Sequence, residues 1–276
     1  MNAKAWLPLC CAVILSGCNS VSSQTPAQSL SEQTVAVNKS VIFIHGAHLK
    51  GAAWSAVQSQ LSKQGISNYV VDLPGRSTHI DPKSITLDHA AQSLCDQLRT
   101  YPQPQSLVVH SQGGAVAHKA MTLCQDVKIT DLVYVSAVAP VDGAKPFALL
   151  NKQDEENYFA GITYEDGWLK ISDKSAYLAS FTEAQKKSQQ QFVLDNSVDE
   201  PAITGDGKVT LSKATLAPIN KAYVFATQDK IISLPSQQKI AESINITHTY
   251  SLDSGHLPMV TKPIELAEVI TQALQL

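Results

Sequence analysis

From Ser40 onward the chain alternates short apolar runs, rich in β-branched residues, with longer segments in which apolar residues recur every three or four positions. The short runs are typical of buried strands, and the longer segments are typical of amphipathic helices. The predicted strands are Val41–His45, Tyr69–Asp72, Ser106–His110, Asp131–Val138, Ala222–Ala226 and Thr247–Leu252. The predicted helices are Ala52–Lys63, Leu87–Thr100, Gly114–Cys124, Ser236–Ser243 and Pro263–Leu274. This alternation predicts an α/β fold with a mostly parallel sheet of about six strands, flanked by helices on both faces.

One interval interrupts the alternation. About 80 residues, from Val141 to about Asn220, separate two predicted strands that one helix would otherwise connect. Insertions at the carboxyl ends of parallel strands commonly form lids over a site. We therefore expect residues 141–220 to be a helical lid; a small packed subdomain without contact to substrate is the alternative. Its large apolar side chains are Phe147, Leu149, Leu150, Tyr158, Phe159, Trp168, Tyr177, Leu178, Phe181 and Phe192.

The amino-terminal segment has a different pattern. Lys4 is followed by the mostly apolar stretch Ala5–Leu15 and then by small residues, which is the plan of a secretory signal and is too short to span a bilayer. The sequence Leu15-Ser16-Gly17-Cys18 resembles the lipobox of bacterial lipoproteins, in which the cysteine is acylated and begins the mature chain. We expect residues 1–17 to be a lipoprotein signal peptide and Cys18 to carry the lipid. The alternative is an ordinary secretory signal that is cut nearby.

Residues 18–39 are dominated by Ser, Gln, Thr, Asn and Ala. Such a composition cannot bury enough apolar surface to fold, and it predicts a flexible tether before a folded domain at 40–276. In lipoproteins an Asp directly after the cysteine tends to mark retention in the inner membrane, and here that residue is Asn19. We expect a lipid-anchored protein of the cell envelope, in the outer membrane and facing the periplasm or the cell surface.

Composition narrows the class of protein further. The chain has 276 residues, of which 44% are hydrophobic and 16% are charged, which excludes a mainly disordered protein. A formal net charge of −3 provides no basic stripe for nucleic acid. Of five cysteines, Cys10 and Cys11 would leave with the signal and Cys18 would be acylated. Cys95 and Cys124 remain, either as a disulfide in an oxidising compartment or as two buried thiols.

Ser111 follows a predicted strand and precedes a predicted helix, with Gly113 and Gly114 close behind it. This is the setting of a nucleophile elbow, where small neighbours let the backbone turn tightly so that the serine hydroxyl projects from the corner. The usual pattern is Gly-x-Ser-x-Gly, and Val109 replaces its first glycine. We interpret Ser111 as a candidate nucleophile; a serine that only caps the following helix is the alternative.

A serine hydroxyl needs a base to take its proton, and the base needs a carboxylate that orients it and stabilises its positive charge. Asp229 and His256 each lie just beyond a predicted strand. Ser111, Asp229 and His256 therefore follow one another in the order used by serine hydrolases that are built on a parallel sheet. Asp72 is also an acid beyond a strand, but it precedes the serine and fits this order poorly.

Two backbone amides are candidates for binding the oxyanion of a tetrahedral intermediate. Gln112 supplies one because it follows the serine, and Ala47 supplies the other because it follows the His45-Gly46 pair after the first strand. We interpret His45 as a brace for this loop. The histidines that we expect at the surface or in loops are His48, His79, His89 and His118. Since no pair of them has the spacing of a metal site, no metal or organic cofactor is expected.

With these residues in place, the chain from about Ser40 to Leu276 resembles the α/β-hydrolase superfamily. It is similar to the compact branch that contains plant methylesterases, bacterial EstC-like esterases and hydroxynitrile lyases. The shared motifs are His45-Gly46-Ala47-His48 with Trp54, Asp72-Leu73-Pro74-Gly75, Asp229-Lys230-Ile231-Ile232 and Gly255-His256-Leu257-Pro258-Met259.

The resemblance implies the α/β-hydrolase fold and a role for each candidate residue. By this resemblance Ser111, Asp229 and His256 are nucleophile, acid and base, and the amides of Ala47 and Gln112 bind the oxyanion. The lyases of this branch place a lysine directly after the catalytic histidine, whereas this chain has leucine there. The resemblance therefore favours the esterases.

We expect a carboxylesterase-like serine hydrolase that cleaves small to medium esters through an acyl-enzyme. An amidase, a thioesterase and a carbon–carbon bond hydrolase are alternatives on the same three residues. An inactive hydrolase fold that serves as a binding protein of the cell envelope is the alternative from another class. The expected partners are a small-molecule ester and, through acylated Cys18, the lipid bilayer.

Overall fold

A computed structural model of the protein describes residues 39–76 and 80–275. The strands in this part of the chain are β1 (Ser40–Ile44), β2 (Asn68–Val70), β3 (Gln105–Ser111), β4 (Ile129–Ala137), β5 (Ile162–Glu165), β6 (Trp168–Ile171), β7 (Glu200–Pro201), β8 (Asn220–Ala226) and β9 (His248–Leu252). The α-helices are α1 (Ser55–Lys63), α2 (Leu87–Leu98), α3 (Gly113–Leu123), α4 (Lys152–Tyr158), α5 (Lys174–Phe181), α6 (Lys187–Asp195), α7 (Lys213–Leu216), α8 (Leu234–Ser243), α9 (Pro258–Thr261) and α10 (Pro263–Ala273). Short 3-10 turns occur at Gly51–Trp54, Pro82–Ser84 and Ala202–Gly205.

Six strands form one parallel sheet in the order β2-β1-β3-β4-β8-β9. Strands β1 and β3 are buried along their whole length, which is expected where helices cover both faces of a parallel sheet. Every strand and helix predicted from the apolar pattern is present, although the first helix begins as a 3-10 turn. The prediction of an α/β fold with a mostly parallel sheet of about six strands, flanked by helices, is confirmed.

The strand order creates a crevice next to β1 and β3. The chain passes from β1 to β2 on one side, whereas β3 leads to β4 on the other side. Because crossovers between parallel strands are right-handed, this reversal places α1 on the opposite face from α2 and α3. In agreement, α1 packs against α10 while α2 packs against α3. Ligands of open α/β sheets bind at such a reversal, beyond the carboxyl ends of the strands.

The insertion between β4 and β8 differs from the expected helical lid. It contains α4 to α7, but it also contains a three-stranded antiparallel sheet, β5-β6-β7. Strands β5 and β6 are joined by Asp166 and Gly167, both with positive φ (45° and 88°). A two-residue hairpin turn needs positive φ at both positions, and Asp-Gly is one of the sequences that adopt it readily. The insertion is therefore mixed in structure.

His118 is buried, so the expectation of a surface or loop position is wrong for this residue. It lies on α3, where Nδ1 donates to the Pro140 carbonyl (2.9 Å) and Nε2 accepts from the Tyr134 hydroxyl (2.6 Å). Burial lowers the pKa of His118 to about 4, so the ring is neutral at pH 7. The helical pattern did not reveal this position because a polar residue on a helix is ordinarily solvated. His89 is exposed on α2, and His79 lies outside the described residues.

Cys95 of α2 and Cys124, directly after α3, form a disulfide with a Cα–Cα distance of 5.7 Å. Both cysteines are buried, and the bond joins two helices that pack against each other.

The signal peptide predicted at 1–17, Cys18 and most of the tether predicted at 18–39 lie outside the described residues. Lys39, the last residue of that tether, forms an ion pair with Asp131 of β4 (2.9 Å). In the part of the chain that the structure describes, no helix has the length and apolar character needed to cross a membrane.

Candidate active site

The loop after β1 is held in place by His45. Its Nδ1 donates to the Gly46 carbonyl (2.9 Å), and its Nε2 accepts from the Leu73 amide (3.1 Å). Burial, together with the nearby charge of Arg76, lowers the pKa of His45 to about 3, so the ring is neutral and fits these two bonds. These contacts agree with the interpretation of His45 as a brace.

Ser111 is the last residue of β3 and has a φ of 50°, an uncommon conformation for a residue other than glycine. The loop after β1 and the turn after β3 approach each other closely, and glycines at the points of contact leave room for this approach. A Cβ on Gly46 would lie 2.6 Å from the Ser111 Cβ, and a Cβ on Gly113 would lie 2.6 Å from the His45 carbonyl oxygen. Val109, which replaces the first glycine of the usual elbow pattern, is an ordinary buried strand residue paired with Ile44.

The structure brings Ser111, Asp229 and His256 together at the carboxyl ends of three strands. The Nε2 atom of His256 lies 3.0 Å from the Ser111 hydroxyl, and its Nδ1 lies 2.7 Å from the Asp229 carboxylate. All three side chains are buried. In this geometry His256 can take the serine proton while Asp229 fixes the ring orientation.

Asp229 accepts more hydrogen bonds than the one from His256. Its Oδ1 accepts from the amides of Ile231 (2.7 Å) and Ile232 (3.1 Å), and its Oδ2 accepts from the Ser136 hydroxyl. These donors fix the orientation of the Asp229 carboxylate beside the His256 ring. Ser136 was not identified from the sequence, because its position at the end of β4 becomes meaningful only once β4 and β8 are neighbours.

Ala47 and Gln112, whose backbone amides are the oxyanion candidates, line the same cavity as Ser111. Within residues 39–76 and 80–275, neither amide hydrogen-bonds to another protein group. Buried backbone amides are nearly always paired, so two free ones beside a serine are available for an anionic oxygen.

His110 supports His256 from behind. It is fully buried, its Nε2 donates to the His256 carbonyl (2.8 Å), and the two rings are 4.6 Å apart. Burial, with a smaller effect of the neighbouring His256, lowers the pKa of His110 well below its ordinary value, so it is a neutral donor. The sequence showed His110 only as the residue before Ser111, and its partner lies 146 positions away.

His48 lies in the loop after β1, one of the two kinds of position expected for it, but its side chain is buried. Its Nδ1 donates to the Val198 carbonyl (3.0 Å) and its Nε2 accepts from the Tyr158 hydroxyl (2.9 Å). Burial, with a smaller effect of Arg76, lowers the pKa of His48 to about 3. Both partners belong to the insertion, which is why the sequence around His48 gave no sign of its burial.

A cavity of about 570 Å³ opens beside Ser111. The insertion provides much of its wall and so contacts the candidate site. The apolar side chains that line the cavity are Phe147, Leu150, Tyr158, Phe159, Leu169, Ile231 and Ile232. Glu200 of β7 is the buried acid in the wall, and sequence reasoning missed it.

Two other acids lie apart from the three candidate residues. Asp72 is half-exposed and accepts from the Gly51 amide (2.6 Å). Asp253 is exposed and accepts from the Gln228 side chain. Among the described residues, no group of three or more His, Cys, Asp or Glu is arranged to hold a metal ion.

The model of the alpha/beta hydrolase family matches residues 41–269. The chain belongs to this family. Among curated members, a pyrethroid hydrolase of Sphingobium wenxiniae is 22% identical over 245 residues, which are 83% of this chain and 85% of that protein. An alpha-hydroxynitrile lyase of Arabidopsis thaliana is 21% identical over 250 residues, which are 83% of this chain and 95% of that protein. The crystal structure of an Arabidopsis methylesterase superposes with a TM-score of 0.71 at 18% identity, covering 86% of this chain and 99% of that one.

Proposed function

We propose that the protein is a serine esterase that cleaves small to medium carboxylic esters through an acyl-enzyme. The position of His256, within hydrogen-bond distance of both Ser111 and Asp229, supports this function most directly. The two free amides of Ala47 and Gln112 add the oxyanion site that acyl transfer needs. A largely apolar cavity of about 570 Å³ suits a small ester.

The reaction follows from these positions. Ser111 Oγ attacks the ester carbonyl carbon while His256 Nε2 takes the hydroxyl proton, and the carbonyl oxygen becomes an oxyanion that accepts from the two amides. His256 then gives the proton to the leaving alcohol as the ester bond breaks. Water, deprotonated by His256, attacks the acyl-enzyme, and the acid leaves with the proton returned to Ser111.

Hydroxynitrile cleavage is less well supported by the site. The residue after His256 is Leu257, which is fully buried and carries no charge, whereas a cyanide leaving group needs a positive charge nearby. Among acyl donors we favour esters, because the Arabidopsis methylesterase has a similar fold.

The test is turnover of p-nitrophenyl butyrate, with fluorophosphonate labelling of the active serine. Ser111→Ala is expected to lower kcat by at least about 10³-fold and to abolish labelling, because no nucleophile remains. Ser188→Ala, an exposed serine of α6, is the matched control and should retain both. Unchanged turnover in Ser111→Ala would refute the assignment, and an unlabelled wild type would favour the inactive binding protein. A panel of matched amides, thioesters and esters separates the other hydrolases.

We further propose that Cys18 is acylated and anchors the enzyme to the outer membrane. The lipobox-like sequence Leu15-Ser16-Gly17-Cys18 and the polar segment that follows it support this location.

A further inference from the structure

Glu200 lies between the two loops that carry the candidate oxyanion amides. Its Oε1 accepts from the Gln112 side chain (2.8 Å), and its Oε2 accepts from the His48 backbone amide (3.0 Å). Gln112 contributes one oxyanion amide itself, and His48 directly follows Ala47, which contributes the other. One carboxylate from the insertion therefore holds both sides of the oxyanion site.

The charge of Glu200 is balanced by Arg76. The guanidinium Nη2 donates to Glu200 Oε2 at 2.5 Å, and both side chains are almost completely buried (2% and 1% exposed). Two further donors of Arg76, Nε and Nη1, donate to the carbonyls of Leu49 (3.0 Å) and Pro74 (3.2 Å). A lone carboxylate beside the site would repel a developing oxyanion, and the paired arginine offsets that repulsion.

The loop that Glu200 holds has an unfavourable backbone conformation. His48 has a φ of 60°, in the left-handed region that residues other than glycine rarely adopt. Such a conformation persists where neighbours over-determine it. Besides the Glu200 contact, the Val198 amide donates to the His48 carbonyl (2.9 Å), and the Lys50 amide donates to the Asn196 carbonyl (3.0 Å). Segment 196–200 of the insertion thus runs along the loop and fixes it.

We infer that Glu200 is a positioning residue that directs the amides of Ala47 and Gln112 at the oxyanion, acting through His48 and the Gln112 side chain. By holding His48 N–H, Glu200 fixes the peptide plane next to Ala47; by holding the Gln112 amide group, it restricts rotation at the residue after the nucleophile. This inference rests on the proposed function, because it assigns a role in acyl transfer to that same site.

Glu200→Gln and Glu200→Ala differ in whether the side chain at position 200 can still hydrogen-bond to the two loops. A glutamine can still accept from His48 and Arg76 through its oxygen and can donate to Gln112 after the Gln112 amide turns over, whereas alanine loses every contact. For p-nitrophenyl butyrate we expect Glu200→Ala to lower kcat by about 10- to 100-fold, less than the loss caused by deleting an oxyanion donor outright. KM should change less than about threefold, and Glu200→Gln should recover much of kcat.

The affinity of a trifluoromethyl ketone is a measurement that would not change if Glu200 had a purely structural role. This inhibitor forms a hemiketal oxyanion with the serine, so its affinity should fall in parallel with kcat in Glu200→Ala, while the affinity of the matching methyl ketone should be unchanged. Glu165→Ala is the matched control, because Glu165 is an exposed glutamate of the same small sheet that pairs with Lys170. Wild-type kcat in folded Glu200→Ala, or a loss of kcat with unchanged trifluoromethyl ketone affinity, would overturn the inference.

A second variant covers the case in which Glu200→Ala leaves Arg76 unpaired and fails to fold. Gln112→Met keeps the backbone amide and the Arg76–Glu200 pair but removes the link between Glu200 and residue 112. We expect a loss of kcat of about fivefold or more with little change in Tm, and an unchanged kcat would contradict the inference. Wild-type protein that neither turns over the ester nor reacts with fluorophosphonate would instead contradict the proposed function, and the inference would fall with it.

Discussion

Each buried neutral histidine makes its own contribution to the pH dependence of the free energy of unfolding. The pKa of His118 is about 4 in the folded protein against 6.5 for an ordinary histidine. Between these values the unfolded chain binds a proton that the folded chain does not, so the free energy of unfolding decreases as the pH falls through this window and is fully retained above about 6.5. His45 and His48, with pKa values of about 3, act in the same direction.

We expect His118→Gln to reduce this dependence. Glutamine can donate to the Pro140 carbonyl and accept from the Tyr134 hydroxyl, but it does not titrate. Between pH 6 and pH 5 the slope of the unfolding free energy should decrease by roughly 1 kcal/mol per pH unit, somewhat less than the ~1.4 kcal/mol of one whole proton. Urea unfolding at several pH values measures the slope, with His89→Gln on the exposed face of α2 as the matched control. An unchanged slope would mean that His118 is protonated in the folded state.

At the scale of elements, the disulfide is the covalent link between helices α2 and α3. The two cysteines are 29 residues apart, and closing a loop of that length stabilises a protein by about 3 to 4 kcal/mol in the chain-entropy description. We expect reduction of the wild type to lower Tm by roughly 10 °C. Melting curves with and without a phosphine reductant measure the effect.

The double variant Cys95→Ala/Cys124→Ala is the control for the disulfide. Its Tm should already be low and should not respond to the reductant. A wild type whose Tm is insensitive to reduction, together with two titratable thiols in the untreated protein, would show that the cysteines are free.

The elements that sequence could predict are those whose pattern is local. Strands such as β1 and β3 are short apolar runs. Ser111, Asp229 and His256 could be identified as candidates because each lies at or just beyond the end of a predicted strand. The hairpin β5-β6 was missed, since β5 is largely exposed, β6 is only partly buried, and only Asp166-Gly167 marks the turn. An element can be predicted from sequence when its apolar periodicity is strong, and this hairpin lacks such periodicity.

The supporting residues of the site could not be predicted for a different reason. Arg76 and Glu200 are 124 positions apart and meet only because the insertion folds back over the loop after β1. A charged residue in an insertion ordinarily reads as a solvated side chain. Such a pair needs the path of the insertion, which no local pattern contains.

At the scale of the whole molecule, the proposed anchor concerns a segment outside the described residues. We expect a bacterial host that is fed an alkyne fatty acid to label the wild-type protein, which should remain in the membrane fraction at high salt and dissolve in detergent. Cys18→Ser should lose the label. Cys10→Ser, which alters a cysteine inside the signal peptide, is the matched control and should stay labelled. Label on Cys18→Ser, or none on the wild type, would contradict acylation at this residue.

The contact of Glu200 with Arg76, His48 and Gln112 also limits how this protein can be recombined with its relatives. The insertion begins after β4 and ends before β8. It could therefore be taken for a self-contained segment that can be exchanged to change specificity. Its inner glutamate, however, depends on an arginine from the loop after β2. In a chimera that receives a foreign insertion, Arg76 would be left in the interior without a counterion. The unit to exchange is therefore the insertion together with residue 76.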